Sequence, residues 1–197
     1  DYEFLRDRPP GSPVSVEGFL FPDTYQLPLE TTPRRVIDIM LRDWDQRISP
    51  ELREKASEQG FSLYELVNLA SIVEREAVLA EERPLIASVY LNRLQAGMYL
   101  QADPTVQYAK GYDQEADHWW SPVTQEEYSS VDSPYNTYLN PGLPPGPICN
   151  PGLASIRAVL EPADTEYLFF YHMGHGAHAF AVTYEEHLRN QELYGGK

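Results

Sequence analysis

Between residues 62 and 77 the sequence SLYELVNLASIVEREA repeats its apolar residues at the helical period. At about 100° per residue, Leu63, Leu66, Val67, Ala70, Val73 and Ala77 share one arc, which predicts an amphipathic helix. Ser62 and Glu65 stand at capping-box spacing at its start. Glu74 falls inside the apolar arc, whereas Glu76 falls outside it, nearer Glu65. A carboxyl on an apolar face is desolvated unless it is paired, and desolvation keeps a proton on it near neutral pH. Two readings follow: a general acid, or a buried Glu that pairs with an Arg or caps a neighbouring helix.

The same periodicity predicts further helices. One opens at Thr32-Pro33 with an inward stripe of Val36, Ile37, Met40, Leu41 and Trp44. A second runs from Ser49-Pro50 to just before Gly60. Another begins near Pro84, carries Leu85, Ile86, Val89, Tyr90 and Leu94, and stops at Gly97. Asp103 before Pro104 reads as an N-cap, and Asn150-Pro151 launches a helix with Leu153, Ile156, Val159 and Leu160 inward. Thr183 and Glu186 form a second capping box for a last helix ending near Leu193.

Other stretches follow a period of two or none at all. Residues 16–28, VEGFLFPDTYQLP, read as a strand-like apolar run, and residues 167–172 and 178–182 read as a hairpin around MGHGA. Residues 110–138 lose periodicity and predict a long functional loop, and residues 140–152, NPGLPPGPICNPG, predict a rigid Pro/Gly wall. The expected fold is therefore α+β: mostly helical, with a small antiparallel hairpin and long cleft-forming loops. Residues 1–16 read as a polar lead-in to one catalytic unit over 17–197.

Charge narrows the chemistry. With 30 acidic against 15 basic residues the formal net charge is −15, and no Lys/Arg cluster is present to grip phosphates, so nucleic acid is not an expected partner. Tyrosine occurs 14 times, a composition suited to stacking on sugars or peptides. Cys149 stands alone, which excludes an intramolecular disulfide. His172, His175 and His178 span a predicted turn with no HExxH or Cys pair beside them and read as turn and edge-strand residues. No phosphate-binding loop or nucleophile elbow is present, so no cofactor is implied. Carboxylate chemistry remains, with Glu74 first and Glu17, Asp23 and Asp103 as acids that could converge on it.

Five stretches in order, EGFLFPDTY (17–25), ASIVEREA (70–77), SVYLNRLQAGMYLQADPTVQY (88–108), SPYNTY (133–138) and GLPPGPICNPG (142–152), resemble the MltG/YceG family of endolytic peptidoglycan lytic transglycosylases. The resemblance implies that Glu74, the first Glu of the SIVE motif, is catalytic. The matching motifs also carry Gln101, Asp103, Thr105, Tyr135, Asn136 and Thr137 as expected substrate-binding residues, and in the cleft-forming segments Trp119, Trp120 and the tyrosines read as sugar platforms. The implied reaction is lyase cleavage between N-acetylmuramic acid and N-acetylglucosamine of nascent strands, leaving 1,6-anhydromuramic ends and terminating glycan elongation. A non-catalytic glycan-binding module and a water-using muramidase are the rival readings. Family context further implies a single-pass anchor and a LysM-like region ahead of residue 17, on the outer face of the bacterial cytoplasmic membrane. Peptidoglycan strands are the implied partner, with peptidoglycan synthases and division or elongation proteins as candidates.

Overall fold

A computed structural model describes residues 2–195. Along these residues the chain forms α1 (Pro33–Arg47), α2 (Pro50–Glu58), α3 (Leu63–Glu76), α4 (Arg83–Gln95), α5 (Asp103–Lys110), β1 (Tyr112–Asp113), β2 (His118–Trp119), α6 (Glu127–Ser130), α7 (Leu153–Leu160), β3 (Phe169–Gly174), β4 (Ala177–Ala181) and α8 (Tyr184–Tyr194). Each of the two sheets is an antiparallel pair, β1 with β2 and β3 with β4, so the fold is α+β.

Helix α3 is the centre of the molecule. Its capping box is complete: Ser62 Oγ accepts from the Glu65 backbone N–H, and Glu65 accepts from the Ser62 backbone N–H. The helix packs against α2, α4, α5 and α7. Tyr64 and every residue from Leu66 to Val73 are buried, including Asn68 and Ser71. A helix enclosed on all sides has no solvent face, so the wheel ranks its carboxylates poorly.

Helix α1 begins where Thr32 Oγ1 accepts from the Arg35 N–H. Helix α4 is preceded by a 3₁₀ turn, Ala80–Glu82, and Gly97, at φ 67°, closes the chain after it. The β3–β4 hairpin pairs Phe169 with Ala181 through to Gly174 with Ala177, with an irregularity after His172. Its first strand starts two residues later than the alternation predicts. Thr183 and Glu186 complete the second capping box at α8.

Four expectations are corrected. Residues 16–28 form no strand: Gly18 takes φ 89°, and the Gly18 and Leu20 N–H groups donate to Asn150 Oδ1 instead of a neighbouring strand. Phe19 and Phe21 are nevertheless core residues. That use of Asn150 moves the start of α7 to Leu153, with Gly152 as N-cap. Asp103 does not cap α5, because Ala102 holds the N-cap position. The long loop is partly ordered into β1, β2 and α6.

The lead-in is tied to the same core. Phe4 is buried and lies 4.2 Å from the Trp44 ring and 5.5 Å from Phe19, centroid to centroid. Among the described residues no helix is long and apolar enough to cross a membrane.

Candidate active site

The two carboxylates at the end of α3 face different surroundings. Glu74 Oε2 accepts from Ser155 Oγ at 2.6 Å and from the Gly152 N–H at 3.2 Å. Gly152 is the N-cap of α7, so Glu74 holds the positive end of that helix. Ser155 is fully buried and is also reached by Arg83 Nε at 3.2 Å. This is the helix-capping arrangement that the wheel left open.

Glu76 is the last residue of α3, and its Oε1 accepts from Tyr90 Oη at 2.6 Å. Burial pushes its carboxyl up to about 7, with the negative charge of Asp103 acting in the same direction. The Tyr90 hydrogen bond and the charges of Arg75 and Arg93 pull the other way. The burial argument that favoured Glu74 therefore applies to Glu76, because α4 and the segment carrying Asp103 cover the side of α3 that the wheel assigned to solvent. Tyr90 itself is buried, and burial raises its phenol well above the usual value.

Asp103 anchors the next layer. Its Oδ1 accepts from Tyr138 Oη at 2.6 Å and its Oδ2 from Tyr128 Oη at 3.2 Å, and the two rings stack 4.2 Å apart. Burial is the main reason that both phenols are shifted upward. Arg93 crosses behind this layer, donating from Nε to the Leu168 carbonyl and from Nη1 to the Leu100 carbonyl and Gln101 Oε1. Gln101 takes a left-handed backbone conformation, φ 51°, with its N–H donating to the Thr137 carbonyl. On the outer side the Arg75 guanidinium lies 3.9 Å from the Trp120 ring centre. The result is one protonatable, half-buried carboxyl in a tyrosine-rich setting, next to a second carboxyl clasped by phenols.

The YceG-like family model matches residues 5–193. The chain belongs to the YceG-like family. Two curated relatives are named endolytic murein transglycosylase. The one from Bacillus subtilis is 37% identical over 91% of this chain and 48% of its own length. The one from Streptococcus pneumoniae is 35% identical over 95% of this chain and 34% of its own. A crystal structure of a putative yceG-like protein from Listeria monocytogenes superposes with a TM-score of 0.78 at 39% identity, covering 88% of this chain and 54% of that one. The chain thus spans about half or less of the length of these relatives.

Within this YceG-like chain the other predicted site residues separate into two groups. Thr105, Asn136 and Thr137 are fully buried and already bonded inside the protein. Thr137 Oγ1 accepts from the Ala102 N–H and lies 2.9 Å from Thr105 Oγ1, while Asn136 Nδ2 donates to the Val131 and Tyr128 carbonyls. These three side chains are thus enclosed and bonded within the protein. Gln101 is exposed, and Asp103 and Tyr135 are half-buried, so they remain within reach of a ligand. Tyr135 packs 4.7 Å from Tyr108, whose hydroxyl donates to Glu17. Asp23 is tied to Arg47 at the end of α1 and does not join the site.

Three further groups were not singled out as site residues from the sequence: Tyr90, Arg93 and Ser155. Tyr90 was legible only as part of an apolar stripe, although a buried tyrosine hydroxyl needs a partner. His178 donates its backbone N–H to Glu82 Oε1 and places Nδ1 2.7 Å from Glu82 Oε2, fastening β4 to the turn before α4. Cys149, whose thiol burial pushes up to about 12, donates to the Ser71 carbonyl. Trp119 is exposed, as a sugar platform requires, whereas one face of Trp120 is taken by Arg75.

Proposed function

We propose that this chain is the catalytic region of an endolytic murein transglycosylase, with Glu76 as its general acid. The observation that carries the assignment is the Glu76 carboxyl, desolvated, pushed up to about 7 and hydrogen-bonded by Tyr90. A group of that character holds a proton near neutral pH and can release it to an oxygen. The names of the relatives support peptidoglycan as the substrate.

In this mechanism Glu76 donates its proton to the oxygen that links N-acetylmuramic acid to N-acetylglucosamine. The C1–O bond of the muramic residue breaks, and its ring passes through an oxocarbenium-like state. The C6 hydroxyl of the same residue then bonds to C1, and its proton returns to ionised Glu76. The products are a 1,6-anhydromuramic end and a free 4-hydroxyl on N-acetylglucosamine. Neither a positioned water nor a second carboxylate at hydrolase spacing is required. Asp103 is then free to act on Glu76 through its charge, and Gln101, Asp103 and Tyr135 to contact the sugars.

Cleavage of nascent strands would end their elongation at the outer face of the cytoplasmic membrane, beside synthases and division or elongation proteins. Mass analysis of fragments released from purified glycan strands tests the reaction. Anhydromuramic ends support it, whereas ordinary reducing ends identify a muramidase and no release identifies a binding module.

A further inference from the structure

Two adjacent residues of the β1–β2 hairpin have opposite surroundings. Trp119 is 62% exposed and packs edge-on against the exposed Tyr112, with ring centroids 5.5 Å apart. Trp120 is half-buried, and the Arg75 guanidinium lies 3.9 Å from its ring centre. Its backbone takes φ 66°, which a bulky residue adopts only where its surroundings compel it. Here the constraint comes from three sides: Arg75 on the ring face, Tyr108 at 6.3 Å between ring centres, and Gln107 Nε2 donating to the Trp120 carbonyl at 3.3 Å. Ser121 Oγ donates to Asp113 Oδ2 at 2.8 Å and closes the base of the hairpin.

Arg75 directly precedes Glu76 at the end of α3, so its guanidinium ties the hairpin to the catalytic end of that helix. A guanidinium is drawn to an indole face by the ring quadrupole and also stacks flat on it, which an ammonium cannot do. Outward, the hairpin offers two exposed rings with a polar rim that includes Asp117, which accepts from Tyr112 Oη, and His118. Glu115 and Asp117 in its turn disfavour an anion. A neutral pyranose fits both features: its C–H face meets an aromatic ring, and its hydroxyl and acetamido N–H groups donate to the rim.

We propose that Arg75 is a positioning residue: through Trp120 it seats the β1–β2 hairpin so that Trp119 and Tyr112 present a sugar-stacking face to the glycan. The proposal rests on the substrate class given above. Arg75 does not touch the sugar in this arrangement, because its guanidinium is occupied by the Trp120 ring. Removing either partner releases the same hairpin, so the two losses are one event.

Titration of the ¹⁵N-labelled chain with tri-N-acetylchitotriose, with N-acetyl-alanyl-alanine as the non-sugar control, tests this through the indole N–H signals of the three tryptophans. The expected result is saturable movement of the Trp119 signal with the sugar alone, while the signal of Trp44 in the core stays in place and reports folding in each variant. Arg75→Met and Trp120→Leu should each weaken sugar binding about tenfold, and Arg75→Lys by no more than about threefold. The double variant Arg75→Met/Trp120→Leu should bind no more weakly than either single one, whereas a loss of about a hundredfold would mean that Arg75 meets the sugar itself and would overturn the positioning role. If Trp120→Leu does not fold, unliganded Arg75→Met decides the same point: a displaced Trp119 signal supports the role and an unmoved one overturns it. No Trp119 movement with the sugar, equal movement with the peptide control, or unchanged affinity in folded Arg75→Met also overturns it. The probe carries no muramic residue, so glycan cleavage without Trp119 movement sinks this inference alone, and Trp119 movement without glycan cleavage sinks only the catalytic reading.

Discussion

Tyr90 Oη donates to Glu76 Oε1 at 2.6 Å, joining the middle of α4 to the last residue of α3. The bond favours the ionised carboxyl, while burial favours the neutral one, and burial is the larger effect. The two helices thus set the proton affinity of Glu76 between them.

Removing the phenol hydroxyl tips this balance in a known direction. Tyr90→Phe loses the bond that stabilises ionised Glu76, so the carboxyl rises above about 7. Because the reaction begins from the protonated acid, the alkaline limb of glycan cleavage should move to higher pH, by up to about one unit. Initial rates across the neutral range in wild type and variant measure it.

The same carboxyl governs a pH dependence of stability. Glu76 holds its proton up to about 7 when folded against an ordinary value of 4.5, so the folded state binds more protons between these values. Its contribution to stability is fully present below the unfolded value and is lost as pH rises through the folded one, about 3 kcal/mol in all. Glu76→Gln should therefore melt about 6–12 °C above wild type near pH 8 and at the same temperature near pH 4. Thermal unfolding at the two pH values reads this difference.

Ser155 serves the helix junction. Ser155→Ala removes the 2.6 Å bond to Glu74 and leaves that carboxylate with the Gly152 N–H. The expected loss is about 1–2 kcal/mol, seen as a lower Tm, with cleavage products unchanged.

Thr137 tests the distinction between frame and ligand contact. Thr137→Val leaves the buried Ala102 N–H without its partner and removes the bond to the Thr105 hydroxyl, which still donates to the Ala102 carbonyl. A drop of about 2–3 kcal/mol in unfolding free energy is expected, with KM for glycan unaltered in the folded protein. A raised KM with unchanged stability would return Thr137 to the ligand contacts.

The parts legible in the sequence are those decided locally. The capping boxes at Ser62/Glu65 and Thr183/Glu186 involve residues three apart, and both form as read. The β3–β4 hairpin likewise follows from alternation around a Gly-rich turn. Residues 16–28 were misread because the partner of the Gly18 and Leu20 amides is a side chain more than a hundred residues away, Asn150. Likewise, Asp103 looked like a cap because neither Tyr128 nor Tyr138 can be placed beside it without the fold. The wheel cannot rank Glu74 against Glu76 for a third reason: it ranks faces only where one face meets water, and α3 is enclosed through its middle.

The most direct test compares Glu76→Gln with Glu74→Gln in the same digestion of purified glycan strands, scored by mass for anhydromuramic ends. Loss of a general acid should lower the rate about 10²- to 10⁴-fold in Glu76→Gln. Glu74→Gln should retain cleavage within about tenfold while melting at a lower temperature, as loss of a helix cap requires. Cleavage abolished in a folded Glu74→Gln protein and retained in Glu76→Gln would contradict the account.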